Sequence, residues 1–199
     1  MTIFILIIIK GFIMNEQQLR DHLKERHCDV KLYDVKFGHI ILESGEYSYE
    51  ATFYLYDFAH KLCGYQKYNP DFPKVTNPRN SREQKYFTHI TSPSVFGVES
   101  IEKYQDCDVL FVTEGVFDAC AITTHLKHPA IAVLANNPKS LRSQLDLLKI
   151  YFKLVAVCDG DLAGDSLGKY VDQVIKCPVG KDANDLTQEE LVELTKGII

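Results

Sequence analysis

The sequence predicts an α/β protein, a mainly parallel sheet with helices on both faces, preceded by a smaller α+β subdomain. Three observations lead there. From residue 108 onward, short apolar runs alternate with helical patterns, as βαβ units do. The runs VLFV (109–112) and LVAVC (154–158) are continuous rather than alternating, the mark of strands buried on both faces. Before residue 106 the pattern instead alternates apolar and polar positions between glycines, as antiparallel strands with one wet face do. The predicted division is therefore 14–105 for the α+β part and 106–199 for the α/β part.

Taken in order, the first thirteen residues, MTIFILIIIKGFI, carry an apolar run too short to span a bilayer. No basic segment precedes it and no small-residue cleavage site follows. Met14 opens a more ordinary beginning, so 1–13 is expected to be an over-extended gene start; a core strand and a membrane anchor are the alternatives. NEQQLRDHLKERH (15–27) predicts a short amphipathic helix with Leu19 and Leu23 on one side. Residues 30–37, 39–43 and 51–56 predict strands, with Gly38 and Gly45 as breaks. Residues 62–68 predict another, with Gly64 as a bulge.

Residues 66–87, QKYNPDFPKVTNPRNSREQKYF, change character and predict a long loop. Lys61 just before it and Lys67, Lys74, Arg79, Arg82 and Lys85 within it outnumber Asp71 and Glu83, with Tyr65, Tyr68, Phe72, Tyr86 and Phe87 interleaved. Cations among rings suit a nucleic-acid strand, charge for phosphates and rings for bases. A solvated loop with a few packed rings fits the same composition.

The α/β part then predicts a strand at 109–112, a helix at 116–126, a strand at 130–135 and a helix capped by Ser140. The strand at 154–158, a helix over about 163–174 and a strand near 175–179 follow. Thr187 opens a final helix, with Glu190 at the capping-box position.

Composition narrows the function classes. A hydrophobic content of 46% supports a sizeable core, and a formal net charge of −5 argues against coating nucleic acid by bulk charge, while leaving a local basic patch open. None of the six cysteines forms a C-x-x-C pair, which argues against a zinc ribbon and suits reduced, buried thiols in a cytosolic protein.

The chemistry gathers at strand ends. Asp159-Gly160-Asp161 closes the 154–158 strand, and ligands of open α/β sheets bind beyond the carboxyl ends of strands. Two aspartates two residues apart on extended chain point the same way. Their repulsion is relieved by a divalent cation, and Mg²⁺, which takes one or two carboxylates and keeps several waters, suits them. An ordinary solvated turn reads the same way locally. Glu114 ends the 109–112 strand, and Asp182 and Asp185 follow the last strand. On a parallel sheet these ends share one edge, and five carboxylates there point to divalent metal and a phosphate-bearing substrate. Alternatively, only two or three of them point into one site while the rest cap helices, a reading most open for Asp182 and for Asp165 in the turn after Asp161.

TEGVFDACAI, VAVCDGDLAGDSLG and GKDANDL resemble, in that order, the three signatures of the Toprim domain, which occurs in primases, topoisomerases and some nucleases. CGYQKYN, KYF and VFGVESI resemble the segment that primases place upstream of it. Spacing and upstream sequence are most similar to bacterial primases and to the primase half of phage primase-helicases, and the KDAN tetrapeptide to the phage and mitochondrial primase-helicase group. The likeness covers roughly 108–186 for the Toprim part and, more loosely, 51–104.

The resemblance implies a Rossmann-like Toprim fold and a DNA primase-like nucleotidyltransferase, making RNA primers on single-stranded DNA from nucleoside triphosphates. It implies that Glu114 acts in proton transfer or touches metal, that Asp159 and Asp161 hold Mg²⁺ or Mn²⁺, and that Asp182 is a further metal contact. Lys67 and Lys85 would hold nucleotide phosphates or template, with Lys74, Arg79 and Arg82 of the same loop beside them. Lys181 either neutralises part of the acidic cluster or is a plain surface lysine. The 199 residues contain no G-x-x-x-x-G-K-[ST] and no zinc-ligand spacing. A separate zinc-binding or helicase protein is therefore an expected partner, in the cytoplasm (the host's if the chain is phage-encoded), with no stable membrane association. A Toprim nuclease and a catalytically silent binding module are the alternative readings.

Overall fold

The computed structural model describes residues 13–42, 44–74, 84–134, 138–160 and 163–199, with the backbone alone for 163–166. The apolar run at 3–9, Arg79, Arg82 and Asp161 lie outside the described residues, as does the side chain of Asp165.

Helix α1 (Glu16–Glu25) starts where the sequence places it. The Asn15 side chain accepts from the Gln18 amide, and the Gln18 side chain accepts from the Asn15 amide. This reciprocal cap satisfies two otherwise orphaned donors. Leu19 and Leu23, one turn apart, are fully buried.

Strands β1 (Val35–Ile41), β2 (Tyr47–Tyr56), β3 (Leu62–Tyr68) and β4 (Tyr86–Ile90) form an antiparallel sheet in that order. Three expectations are corrected here. Gly38 does not break a strand; it lies inside β1 opposite Glu50. Residues 30–34 are turns rather than strand, because Asp29 accepts the Lys31 amide on its side chain and the Leu32 and Tyr33 amides on its carbonyl. The loop expected over 66–87 is shorter, since β3 runs to Tyr68 and β4 begins at Tyr86. That fourth strand is a half-exposed edge held by its ladder to β3, so no buried alternation announces it. The β2–β3 register slips between Leu55 and Tyr56, beside Gly64. A Cβ on Gly64 would lie 2.3 Å from the His89 carbonyl oxygen, so this ladder closes only on glycine.

The second sheet is wholly parallel, with β5 (Val109–Thr113), β6 (Ala130–Ala132), β7 (Lys153–Cys158) and β8 (Gln173–Lys176) in the order β6-β5-β7-β8. Alternate residues of its central strands enter two different cores. Val109, Phe111, Val155 and Val157 join Phe53, Leu55 and Tyr68 of the antiparallel sheet, Leu19 and Leu23 of α1, and α3 (Val116–Leu126). Leu110, Val112, Leu154 and Ala156 join Leu145 of α4 (Arg142–Leu148) and Val98 of α2 (Val98–Lys103) on the other face. The unbroken apolar runs of the sequence follow from this burial on both sides. Residues Val95 and Phe96 tie the sheets together, pairing with Tyr56 and Ala132.

The second half carries its own departures. Ser140 caps no α-helix; a 3₁₀ turn, Lys139–Leu141, leads into α4 without a side-chain cap. The helix expected over 163–174 is a 3₁₀ segment, Ala163–Tyr170, and β8 comes earlier than expected. Asp172 sets this entry, its amide donating to the Leu154 carbonyl and its carboxylate accepting from the Leu154 amide. The last helix, α5 (Gln188–Leu194), has the expected Thr187–Glu190 capping box. Among the described residues, no helix is long and apolar enough to cross a membrane.

Candidate functional site

The carboxyl ends of the adjacent strands β5 and β7 place Glu114 and Asp159 on one rim of the sheet. The 178–186 loop folds back over the same rim. The Gly160 amide donates to the Lys181 carbonyl at 3.2 Å, and the Asn184 amide donates to Asp118 Oδ1, also at 3.2 Å. A cavity of about 330 Å³ opens here, and Glu114, Asp118, Asp159 and Asp182 line it together with Arg26 and Lys74. Glu114 and Asp159, 45 residues apart in sequence, therefore face a common space.

The acidic loop is held by its own ends. Asp182 caps the 3₁₀ turn Ala183–Asp185, its Oδ1 accepting the Asp185 amide at 3.0 Å while Asp185 Oδ2 accepts the Asp182 amide at 3.2 Å. Asp182 thus caps, as one sequence reading has it, and also lines the cavity. Asp118 sits in the first turn of α3, where the helix dipole favours negative charge. Burial nevertheless pushes its carboxyl up to about 7, with the Asp182 and Asp159 charges adding to the rise. Burial also raises Asp182, helped by Asp185. Cys177, beneath them, is pushed up to about 12 by burial and by the charges of Asp118, Asp159 and Asp182. Carboxylates that raise one another in this way are the setting a hard divalent cation relieves.

An all-oxygen donor set fits Mg²⁺ or Mn²⁺ better than softer metals. The described residues bring no three ligand side chains into a ready chelate. A Mg²⁺ ion held through one or two carboxylates and several waters needs none.

The basic residues divide. Lys74 lines the cavity. Lys67 pairs with Glu50; strand alternation places it on the face of β3 opposite Gln66, which lines the cavity. Lys85 lies 5.9 Å over the Tyr68 ring. Lys181 turns away to Glu190 at 2.8 Å.

No protein-family model and no curated protein matches this chain. Solved structures do. A DnaG primase catalytic domain bound to ssDNA superposes with a TM-score of 0.63 at 14% identity, over 89% of this chain and 73% of that one. The RNA polymerase domain of Mycobacterium tuberculosis primase DnaG gives 0.61 at 18%, over 88% and 74%. The primase fragment of the bacteriophage T7 primase-helicase gives 0.54 at 14%, over 83% and 69%. The fold is that of a primase catalytic core.

Within this primase-core fold, sequence reasoning missed two cavity residues, Asp118 and Arg26. Asp118 has a legible signal, four residues after Glu114 in the first turn of a helix that starts at the sheet rim. Arg26 has none, because it arrives from the end of α1 by packing alone. Asp118 carries a pH prediction. Its folded-state value lies above the 3.8 of an unperturbed aspartate, so the ionised group costs stability. The cost is absent below about pH 4, grows as pH rises, and is complete above about pH 7. In metal-free protein, Asp118→Asn is expected to melt higher than wild type at pH 8, by about 1 kcal/mol or more. The gain should vanish toward pH 4. Melting curves across pH check this; a gain independent of pH contradicts it.

Proposed function

We propose that this chain is the catalytic core of a DNA primase, joining ribonucleotides on a single-stranded DNA template. The observation that carries the reading is the meeting of Glu114, Asp159 and Asp182 in one cavity at the carboxyl rim of a parallel sheet, on the primase-core fold. Asp159, with Asp161 after it, would hold Mg²⁺ or Mn²⁺, and Asp182 is a further contact. A divalent ion at such a site supplies charge neutralisation for a triphosphate and its leaving pyrophosphate. Glu114, which precedes the start of α3 and lines the same cavity, is suited to accept the proton of an attacking 3′-hydroxyl or to contact metal itself.

Lys74 is the basic residue best placed to meet a phosphate entering the cavity. Lys67, Lys85 and Lys181 would serve template or nucleotide more remotely, and Arg79 and Arg82 are further candidates for the same contacts. Residues 106–199 then form the Toprim unit and 14–105 the subdomain that presents template to it, with a zinc-binding or helicase protein, phage-encoded or bacterial, as partner.

The test is incorporation of labelled ribonucleotides on single-stranded DNA with Mg²⁺ or Mn²⁺, with and without a zinc-binding primase domain added in trans. Short RNA products dependent on the metal are expected. Metal-dependent loss of labelled DNA or RNA without incorporation would replace this reading with a nuclease. No reaction under any of these conditions would remove it.

A further inference from the structure

Arg26 is the C-terminal cap of α1, far in sequence from every acidic residue of the cavity, yet three separate parts of the chain converge on its guanidinium. The guanidinium carbon lies 3.8 Å above the centre of the Phe117 ring, at the start of α3. Nε donates to Asn184 Oδ1 at 3.0 Å, in the loop that carries Asp182. The Arg26 charge also acts on the phenols of Tyr68 in β3 and Tyr86 in β4, lowering the proton affinity of both, and Tyr86 lines the cavity beside it. Tyr68 OH in turn meets His22 Nε2 at 2.7 Å, one turn back in α1. The Arg26 charge also lowers the proton affinity of Asp118 and Asp182. A planar fork with several donors and a flat face for a ring can make all these contacts at once, which an ammonium cannot.

We infer that Arg26 is a positioning residue of the acidic site: it clamps the 182–185 loop, and Asp182 with it, against the start of α3 and the antiparallel sheet. The inference rests on reading the cavity as a divalent-cation site. Arg26 reaches that site's carboxylates through Asn184 and by charge across the cavity.

Position and charge predict opposite outcomes. A cation close to carboxylates competes with a metal ion, so a pure counter-charge would weaken metal binding, and its removal would strengthen it. A clamp would do the reverse, because residues that orient ligands typically contribute 10- to 100-fold to metal affinity. R26K keeps the charge and loses the fork; R26Q loses both. Asn184→Ala removes the loop side of the same contact and leaves the arginine in place.

The measurements are Mn²⁺ binding to the full chain by calorimetry and amide hydrogen exchange of residues 178–186. Primer synthesis as a function of Mg²⁺ accompanies them. All three variants are expected to bind Mn²⁺ about tenfold more weakly. The loop amides should exchange faster while those of β5 and β7 keep wild-type protection. In the synthesis assay, the Mg²⁺ required should rise more than the maximal rate falls.

Wild-type Mn²⁺ affinity in R26K and Asn184→Ala, or tighter binding in R26Q, overturns the clamp. Should wild-type protein make no primers while the variants still weaken Mn²⁺ binding and loosen the loop, the clamp stands and the primase reading falls. Should wild-type protein make primers while the variants leave Mn²⁺ binding and exchange unchanged, the reverse holds.

Discussion

Asp159→Asn is expected to lower ribonucleotide incorporation about a hundredfold or more, while its metal-free melting temperature equals or exceeds that of wild type. The first effect follows, on the proposed function, from losing a charged oxygen that would hold a cation against a triphosphate. Removing one group that stabilises developing charge in an active site typically costs about 10²–10³ in rate. The second follows from the repulsion already seen in the raised value of Asp118, to which the Asp159 charge contributes. A neutral amide of the same shape relieves it. Glu114→Gln should show a comparable loss of rate, since it ends the neighbouring strand on the same cavity. Single-turnover incorporation beside thermal melting checks the pair of effects. Retained incorporation with either variant would separate these residues from the chemistry; a fall in both rate and melting temperature would make their role structural.

Gly160→Ala should damage the fold and the site together. A Cβ there would lie 2.3 Å from the Pro178 carbonyl oxygen, 2.7 Å from its carbon and 2.8 Å from the Val179 Cα. All three are backbone atoms, so no side chain can turn aside, and the 178–182 segment must move as a unit. That movement pulls on the bond from the Gly160 amide to the Lys181 carbonyl and displaces Asp182, the next residue. Overpacking of this kind costs about 1–3 kcal/mol. The expected result is a lower denaturant midpoint with unchanged slope, together with weaker divalent-cation binding. Wild-type stability in Gly160→Ala would show that the two segments do not meet as described.

These two residues show how unevenly the site was written into local pattern. Asp159 and Glu114 follow strands whose unbroken apolar runs can be recognised without any structure, because burial on both faces removes the polar positions. That Gly160 packs against residues 178 and 179 could not be read, since close approach between distant segments leaves no local trace. The basic residues were grouped by composition, but strand alternation sent Lys67 to Glu50, and Lys181 found Glu190. Charge counted along a loop says nothing about which face each side chain takes. The strand at Tyr86–Ile90 was hidden for a related reason, being held by ladder bonds that any sequence can make.

The sequence by itself determined the parallel sheet, the order of its strands along the chain, and the acidic residues at strand ends. Periodicity and end signals are properties of neighbouring residues. Only the tertiary structure decided that β5 and β7 lie side by side, that the 182–185 loop closes over their rim, and that Arg26 reaches it from the other half of the chain. Those outcomes depend on which distant surfaces bury one another, an energy shared among residues no local window contains.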